Sequence, residues 1–122
     1  MKHIIKFIAV VCILLSACKN NEPQDVSGVY IGEFPCADCV GIDNKMSLNS
    51  DGTFVLESTY RGKGDDTVFT KTGNYSVENG KVILELVESP FKYKIGDNYI
   101  EMLDIDGNKI ESELNYKLTK QD

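Results

Sequence analysis

Beyond residue 26, apolar residues recur at every second position in short runs, and turn-forming sequences break the alternation at close intervals. Val29 and Ile31 share one face of a first run, Ile42, Met46 and Leu48 of a second, and Phe54, Leu56 and Tyr60 of a third. Phe69, Tyr75 and Val77 continue the series, then Val82, Leu84 and Leu86, and Leu114, Tyr116 and Leu118 close it. A period of two is the repeat of a strand with one buried face. No segment carries the i, i+3, i+4, i+7 stripe of an amphipathic helix. Between the runs stand Asp51-Gly52, Asn79-Gly80, Gly96-Asp97-Asn98 and Asp106-Gly107-Asn108, whose residues tolerate the positive φ that tight hairpins need. The pattern predicts strands near 27–34, 41–49, 53–60, 67–77, 81–88, 91–95, 99–103 and 112–119. A meander of short strands, each apolar on one side, buries that side by curling up. The expected fold is all-β: a small antiparallel up-and-down barrel of about eight strands over residues 26–122, with Gly62-Lys63-Gly64-Asp65-Asp66 as a mobile loop inside one domain.

The start of the chain follows a different rule. Lys2, His3 and Lys6 precede an uncharged run from Phe7 to Leu15, and the small residues Ser16 and Ala17 stand before Cys18. A positive segment, an apolar segment and a small-residue cleavage site make a secretory signal over residues 1–17. The apolar run falls short of the roughly 20 residues that a membrane-spanning helix needs. Leu15-Ser16-Ala17-Cys18 resembles the lipobox of bacterial lipoproteins, which makes Cys18 the lipidated first residue of the mature chain. Two or more acyl chains hold a protein stably on a bilayer, at about 0.8 kcal/mol for each buried methylene. Residues 18–25 then form the lipidated cysteine and a flexible polar tether.

Loss of the signal changes the charge and the available chemistry. Lys2, Lys6, the single histidine and Cys12 all go, which leaves 11 basic against 19 acidic residues, a net −8. Such a surface repels phosphate backbones and no basic patch offsets it, so nucleic acid is not an expected partner. Without histidine the mature chain has no triad or imidazole base, and no carboxylate pair stands in a recognisable motif. An enzyme is not expected.

One compact motif remains, Pro35-Cys36-Ala37-Asp38-Cys39, where the first strand ends. In an exported protein Cys36 and Cys39 can form a disulfide. Closing so short a loop contributes only roughly 2 kcal/mol by chain entropy, so a redox-responsive or metal-binding loop is the sharper reading. Reduced, the pair offers two thiolates suited to Cu(I). Tetrahedral zinc needs two further ligands that the mature chain does not supply. Met46 and Met102 are candidate soft ligands for Cu(I), against the plainer reading that each fills the core. A thioredoxin-type redox motif opens a helix, whereas this one lies between strands. Asp104-Ile105-Asp106-Gly107-Asn108 opens like a calcium loop but lacks the terminal glutamate and flanking helices, and reads as an acidic turn.

Tyr30 to Ile42, containing Pro35-Cys36-Ala37-Asp38-Cys39, resembles the opening of the N-terminal domain of the NlpE family of outer-membrane lipoproteins. The likeness continues through Leu48, Asp51-Gly52-Thr53-Phe54, Tyr60, Gly62 and Gly73, and ends in Ile100 to Asp104, Gly107-Asn108, Ile110-Glu111-Ser112 and Leu114-Asn115-Tyr116. Tyr75 stands where the family typically has a tryptophan. The resemblance implies a lipocalin-like barrel, an outer-membrane lipid anchor facing the periplasm or cell surface, and a role in envelope stress sensing and copper resistance. Longer members add a second, oligonucleotide-binding-fold-like domain with its own cysteine pair, and functions that depend on it lie outside this sequence. The expected function is therefore a lipid-anchored sensor or adaptor that binds an envelope sensor or other protein, with Cys36 and Cys39 responding to redox state or Cu(I). Two alternatives stand beside it. One is a carrier of a small apolar ligand, with Phe54, Leu56, Phe69, Tyr75 and Leu84 facing inward; the other is a structural lipoprotein with a permanent disulfide.

Overall fold

A computed structural model describes residues 24–62 and 64–122. The signal segment, Cys18 and most of the tether lie outside the described residues. Eight strands follow in chain order: β1 Gly28–Phe34, β2 Gly41–Leu48, β3 Thr53–Arg61, β4 Thr67–Glu78, β5 Lys81–Leu84, β6 Phe91–Ile95, β7 Tyr99–Met102 and β8 Lys117–Lys120. Each pairs antiparallel with the next, and β8 returns to β1 through Tyr30 opposite Lys120 and Ile31 opposite Thr119, which closes the barrel.

The turns fall where positive-φ residues stand. Asn79 and Gly80 both take positive φ in a two-residue hairpin between Glu78 and Lys81, the arrangement whose twist matches the flanking strands. Gly52, Asn98 and Gly107 supply positive φ at three other turns. Asp51 reinforces the first of these by accepting bonds from the Thr53 N–H and hydroxyl. Those bonds hold its carboxyl below the usual carboxylate range.

The interior is filled by side chains. Met46, Leu48, Phe54, Val82, Leu84, Tyr93, Ile100 and Leu118 are all buried, and Tyr30 and Val26 cap one end through a 2.7 Å bond from the Tyr30 hydroxyl to the Val26 carbonyl. Burial pushes the Tyr93 and Tyr30 hydroxyls above the ordinary tyrosine range. A raised tyrosine pKa favours the folded state below the unfolded value of about 10, and that contribution is lost as pH climbs above it. Urea unfolding should therefore give a lower midpoint at pH 11 than at pH 8, with a smaller drop in a Tyr93→Phe variant. Equal drops in both proteins would dissociate Tyr93 from the effect.

Three expectations are corrected. In β1 the inward face is Tyr30, Gly32 and Phe34, not Val29 and Ile31; Ile31 is 44% exposed. Both parities of β1 are largely apolar, so alternation alone could not choose, and the register with Ile42, Asn44 and Met46 decides. The fifth strand ends at Leu84 instead of 88, because only the Glu85 N–H still reaches Asn74 before the chain turns away towards Pro90, which has no N–H to give. The last strand begins at Lys117, not 112. Ser112 and Asn115 side chains accept the N–H groups of Leu114 and Lys117, giving the backbone local partners in place of a ladder.

The cysteine loop and its buttress

An up-and-down meander puts alternate connections at opposite ends. The turns after β2, β4 and β6 lie at the end where the chain enters β1, and the connections after β1, β3, β5 and β7 lie at the other. Cys36 and Cys39 stand in the β1–β2 connection, at the end remote from the N-terminus of the barrel. They are joined in a disulfide with Cα atoms 5.4 Å apart, and both are half-buried while Ala37 and Asp38 are exposed.

The base of this loop is held by residues of its two flanking strands, of β3 and of a distant connection. Glu33 and Asp43 are register partners, both on the outer face, so two like charges stand opposite each other across β1 and β2. Such a pair is unfavourable alone. Arg61 on β3 resolves it: its Nη2 meets Glu33 and its Nε lies 3.1 Å from Asp43. Gly41 faces Arg61 in the next register, and a Cβ there would run into the Glu33 carboxylate and the Arg61 guanidinium. Glycine thus lets the clamp lie flat across the strands. From the β7–β8 connection, the Asn115 amide donates to the Glu33 carbonyl at 3.1 Å, and the Tyr116 ring packs edge-on against Phe34 at 5.7 Å.

Arg61, Glu33 and Asn115 carry no chemistry-bearing spacing in the sequence, because they lie 28 to 82 positions apart. Arg61 is one-third exposed and its partners more so, so water and salt screen the clamp. Arg61→Met should cost about 1 kcal/mol at low salt and less at high salt. Urea unfolding at two ionic strengths checks this, and equal stabilities at low salt would remove the clamp as a stabilising feature.

As folded, the cysteine pair offers no thiolate to a metal, since both sulfurs are engaged in the disulfide. The described residues contain no cluster of three or more histidine, cysteine, aspartate or glutamate side chains placed to hold an ion. Met46 is fully buried between Tyr30 and Leu56, four positions along β2 from Ile42 at the loop end. Met102 lies half-buried on β7 opposite Tyr93, with its N–H bonded to the Tyr116 carbonyl. No strand pairing brings either methionine to the cysteines. Asp104 accepts the N–H groups of Asp106 and Asn108, which makes the acidic segment a self-capped turn. Phe69, expected to face inward, is 54% exposed and stacks edge-on with Tyr60, because β4 continues past the point where β5 stops covering it.

The NlpE N-terminal domain model matches residues 30–113, a span that includes the cysteine loop, the Arg61 clamp and most of the strands. The chain belongs to the NlpE family. Lipoprotein NlpE of Escherichia coli K12 is 33% identical over 106 residues, covering 85% of this chain and 45% of the relative. The 17 kDa lipoprotein of Treponema pallidum is 39% identical over 64 residues, covering 51% of this chain and 41% of the relative. Among solved structures, a Shewanella oneidensis protein described as a lipoprotein superposes with a TM-score of 0.70 at 37% identity, over 80% of this chain and 91% of that one. The Cpx pathway activator NlpE from Escherichia coli gives 0.65 at 32% identity, over 80% of this chain and 53% of that one. The chain spans less than half the length of the curated relatives it matches.

Proposed function

We propose that this NlpE-family barrel is a lipid-anchored sensor or adaptor in an envelope stress response, tethered through Cys18 to the outer membrane and engaging another envelope protein with its cysteine-loop end. Family membership carries the reading: one relative of known structure is a Cpx pathway activator, and the curated relatives are lipoproteins. The polarity of the barrel supports it. The chain enters β1 at the end bearing the short polar turns, so a tether ending at Asp25 holds that end towards the bilayer and turns the disulfide loop away from it. Cys36 and Cys39 act there as a reporter of envelope redox state, and reduction frees two thiolates for Cu(I).

Overproduction in a strain carrying an envelope-stress reporter tests the proposal. The wild-type chain should raise the output, Cys18→Ala should mislocalise the protein and change that output, and Cys36→Ser with Cys39→Ser should abolish any further response to copper. The double substitution should also lower stability by about 2 kcal/mol, the loop-closure contribution of so short a ring. A copper response that is identical in the wild type and the double variant would sink the cysteine part, and a reporter indifferent to the wild-type chain would sink the signalling part.

A further inference from the structure

The barrel wall is incomplete on one side. β4 pairs with β3 along Thr67–Asn74, whereas β5 covers it only over Tyr75–Glu78. The Tyr75 N–H donates to Gly52 on the β3 side, and the Asn74 carbonyl accepts from Glu85 on the β5 side. Backbone direction alternates along an antiparallel strand, so the N–H and C=O groups of Val68, Thr70 and Thr72 point away from β3 into the space β5 leaves open. No strand register among the described residues pairs them there. A groove of about 330 Å³ lies alongside, with Lys71 and Thr72 on one wall and Leu86 to Ser89 and Phe91 on the other.

An open edge is normally blunted by proline, a bulge, a row of charges or a covering segment. This one reads Thr67-Val68-Phe69-Thr70-Lys71-Thr72, β-favouring at every position but Lys71, its single charge. Val68 is 56% and Phe69 54% exposed. Among the described residues, and apart from Ile31 on the wall, the exposed large hydrophobic residues, including Val40, Val87, Ile105 and Leu114, gather at this same cysteine-loop end. Its four connections, 35–40, 62–66, 85–90 and 103–116, hold nine acidic against two basic residues.

We propose that the free edge of β4 takes up an extended, net-basic segment of another polypeptide as an added antiparallel strand, with apolar or β-branched residues alternating along it. The unpaired backbone supplies the ladder, Leu86 and Phe91 supply apolar contact at alternate positions, and the acidic rim selects positive charge. A second copy fits worse. Two β4 edges meeting antiparallel would turn one barrel end for end, set its anchor away from a shared membrane, and bring two acidic rims together. The inference deepens the reading of the barrel as a protein-binding adaptor and rests on it.

The test uses the full chain in mild detergent, isotope-labelled, with three short synthetic peptides: one alternating lysine, valine and threonine, its counterpart with glutamate for lysine, and the lysine peptide interrupted by proline. The lysine peptide should slow amide exchange at Val68, Thr70 and Thr72 by at least about tenfold, and the other two should not. Thr70→Pro should abolish the effect, since the Thr70 N–H is not part of the β3 ladder and proline is tolerated on such an edge. Should that variant misfold, a Val68→Lys, Thr72→Lys double variant should repel the same peptide while keeping the native unfolding midpoint. Absence of protection by the lysine peptide overturns the proposal. So does protection that grows with protein concentration alone, which would give the edge to a second copy, or equal protection by anionic vesicles. In cells, equal reporter output from the wild type and Thr70→Pro would remove the edge and leave the signalling reading intact. Reporter silence with peptide protection retained would do the reverse.

Discussion

Gly32→Ala is expected to destabilise the barrel by about 3 kcal/mol, the upper range for forcing extra volume into a packed site. Gly32 lies at the seam where β1 meets β8, which is short: Tyr30–Lys120 and Ile31–Thr119 are its register pairs, and the Gln121 N–H adds a bond to the Val29 carbonyl. A Cβ on Gly32 would fall on the Lys117 carbonyl and within 3.2 Å of the Leu118 Cα, backbone that cannot swing aside without opening the barrel. Alanine restricts the unfolded chain by about 0.4–1 kcal/mol in the opposite direction, which does not offset the clash. For a domain of this size the melting temperature should fall by roughly 10–20 °C. Gly64→Ala, whose Cβ meets nothing within 4 Å, serves as the control and should stay within about 0.5 kcal/mol of the parent. A Gly32→Ala protein that melts with the Gly64→Ala protein would mean that the seam contributes little to closure.

Phe54→Ala should cost about 3–5 kcal/mol, the usual penalty for removing a large buried ring. Phe54 is 1% exposed and faces Gly73 across β3 and β4, with ring carbons 3.1 and 3.5 Å from where a Gly73 Cβ would stand. The ring therefore fills volume that the glycine leaves empty, and neighbouring backbone in a closed sheet cannot collapse into the gap. Stabilities of small domains are about 5–15 kcal/mol, so much of the fold's reserve is at stake. Guanidinium unfolding of Phe54→Ala and Phe54→Leu checks this. A loss under about 1 kcal/mol for alanine would show that the site relaxes around the cavity.

Much of the architecture is legible along the chain. Strand count, antiparallel order and turn positions follow from a period-two pattern interrupted by Asp-Gly, Asn-Gly and Gly-Asp-Asn, because both signals act within a few residues. Legibility fails where two faces compete or side chains replace the ladder. In β1 apolar residues occupy both parities, and in 112–115 side-chain bonds from Ser112 and Asn115 hold the backbone out of the sheet despite an alternating sequence. The candidate site divides in the same way. Cys36 and Cys39 announce themselves by spacing, while Arg61, Glu33, Asp43, Asn115 and Tyr116 are ordinary residues whose work depends on which strands become neighbours.

By itself the sequence determined an all-β meander, its hairpin turns, the cysteine pair between two strands and the acidic balance, all of them properties of local pattern or composition. Tertiary structure alone decided the register in which β8 closes the predicted barrel on β1, that Arg61 neutralises the facing Glu33 and Asp43, that Asn115 and Tyr116 brace the cysteine loop, and that β4 outruns β5 to leave an open edge. The physical reason is that register and closure are set by contacts between residues far apart in the chain. Burial of one shared core then chooses among pairings that local alternation leaves equivalent.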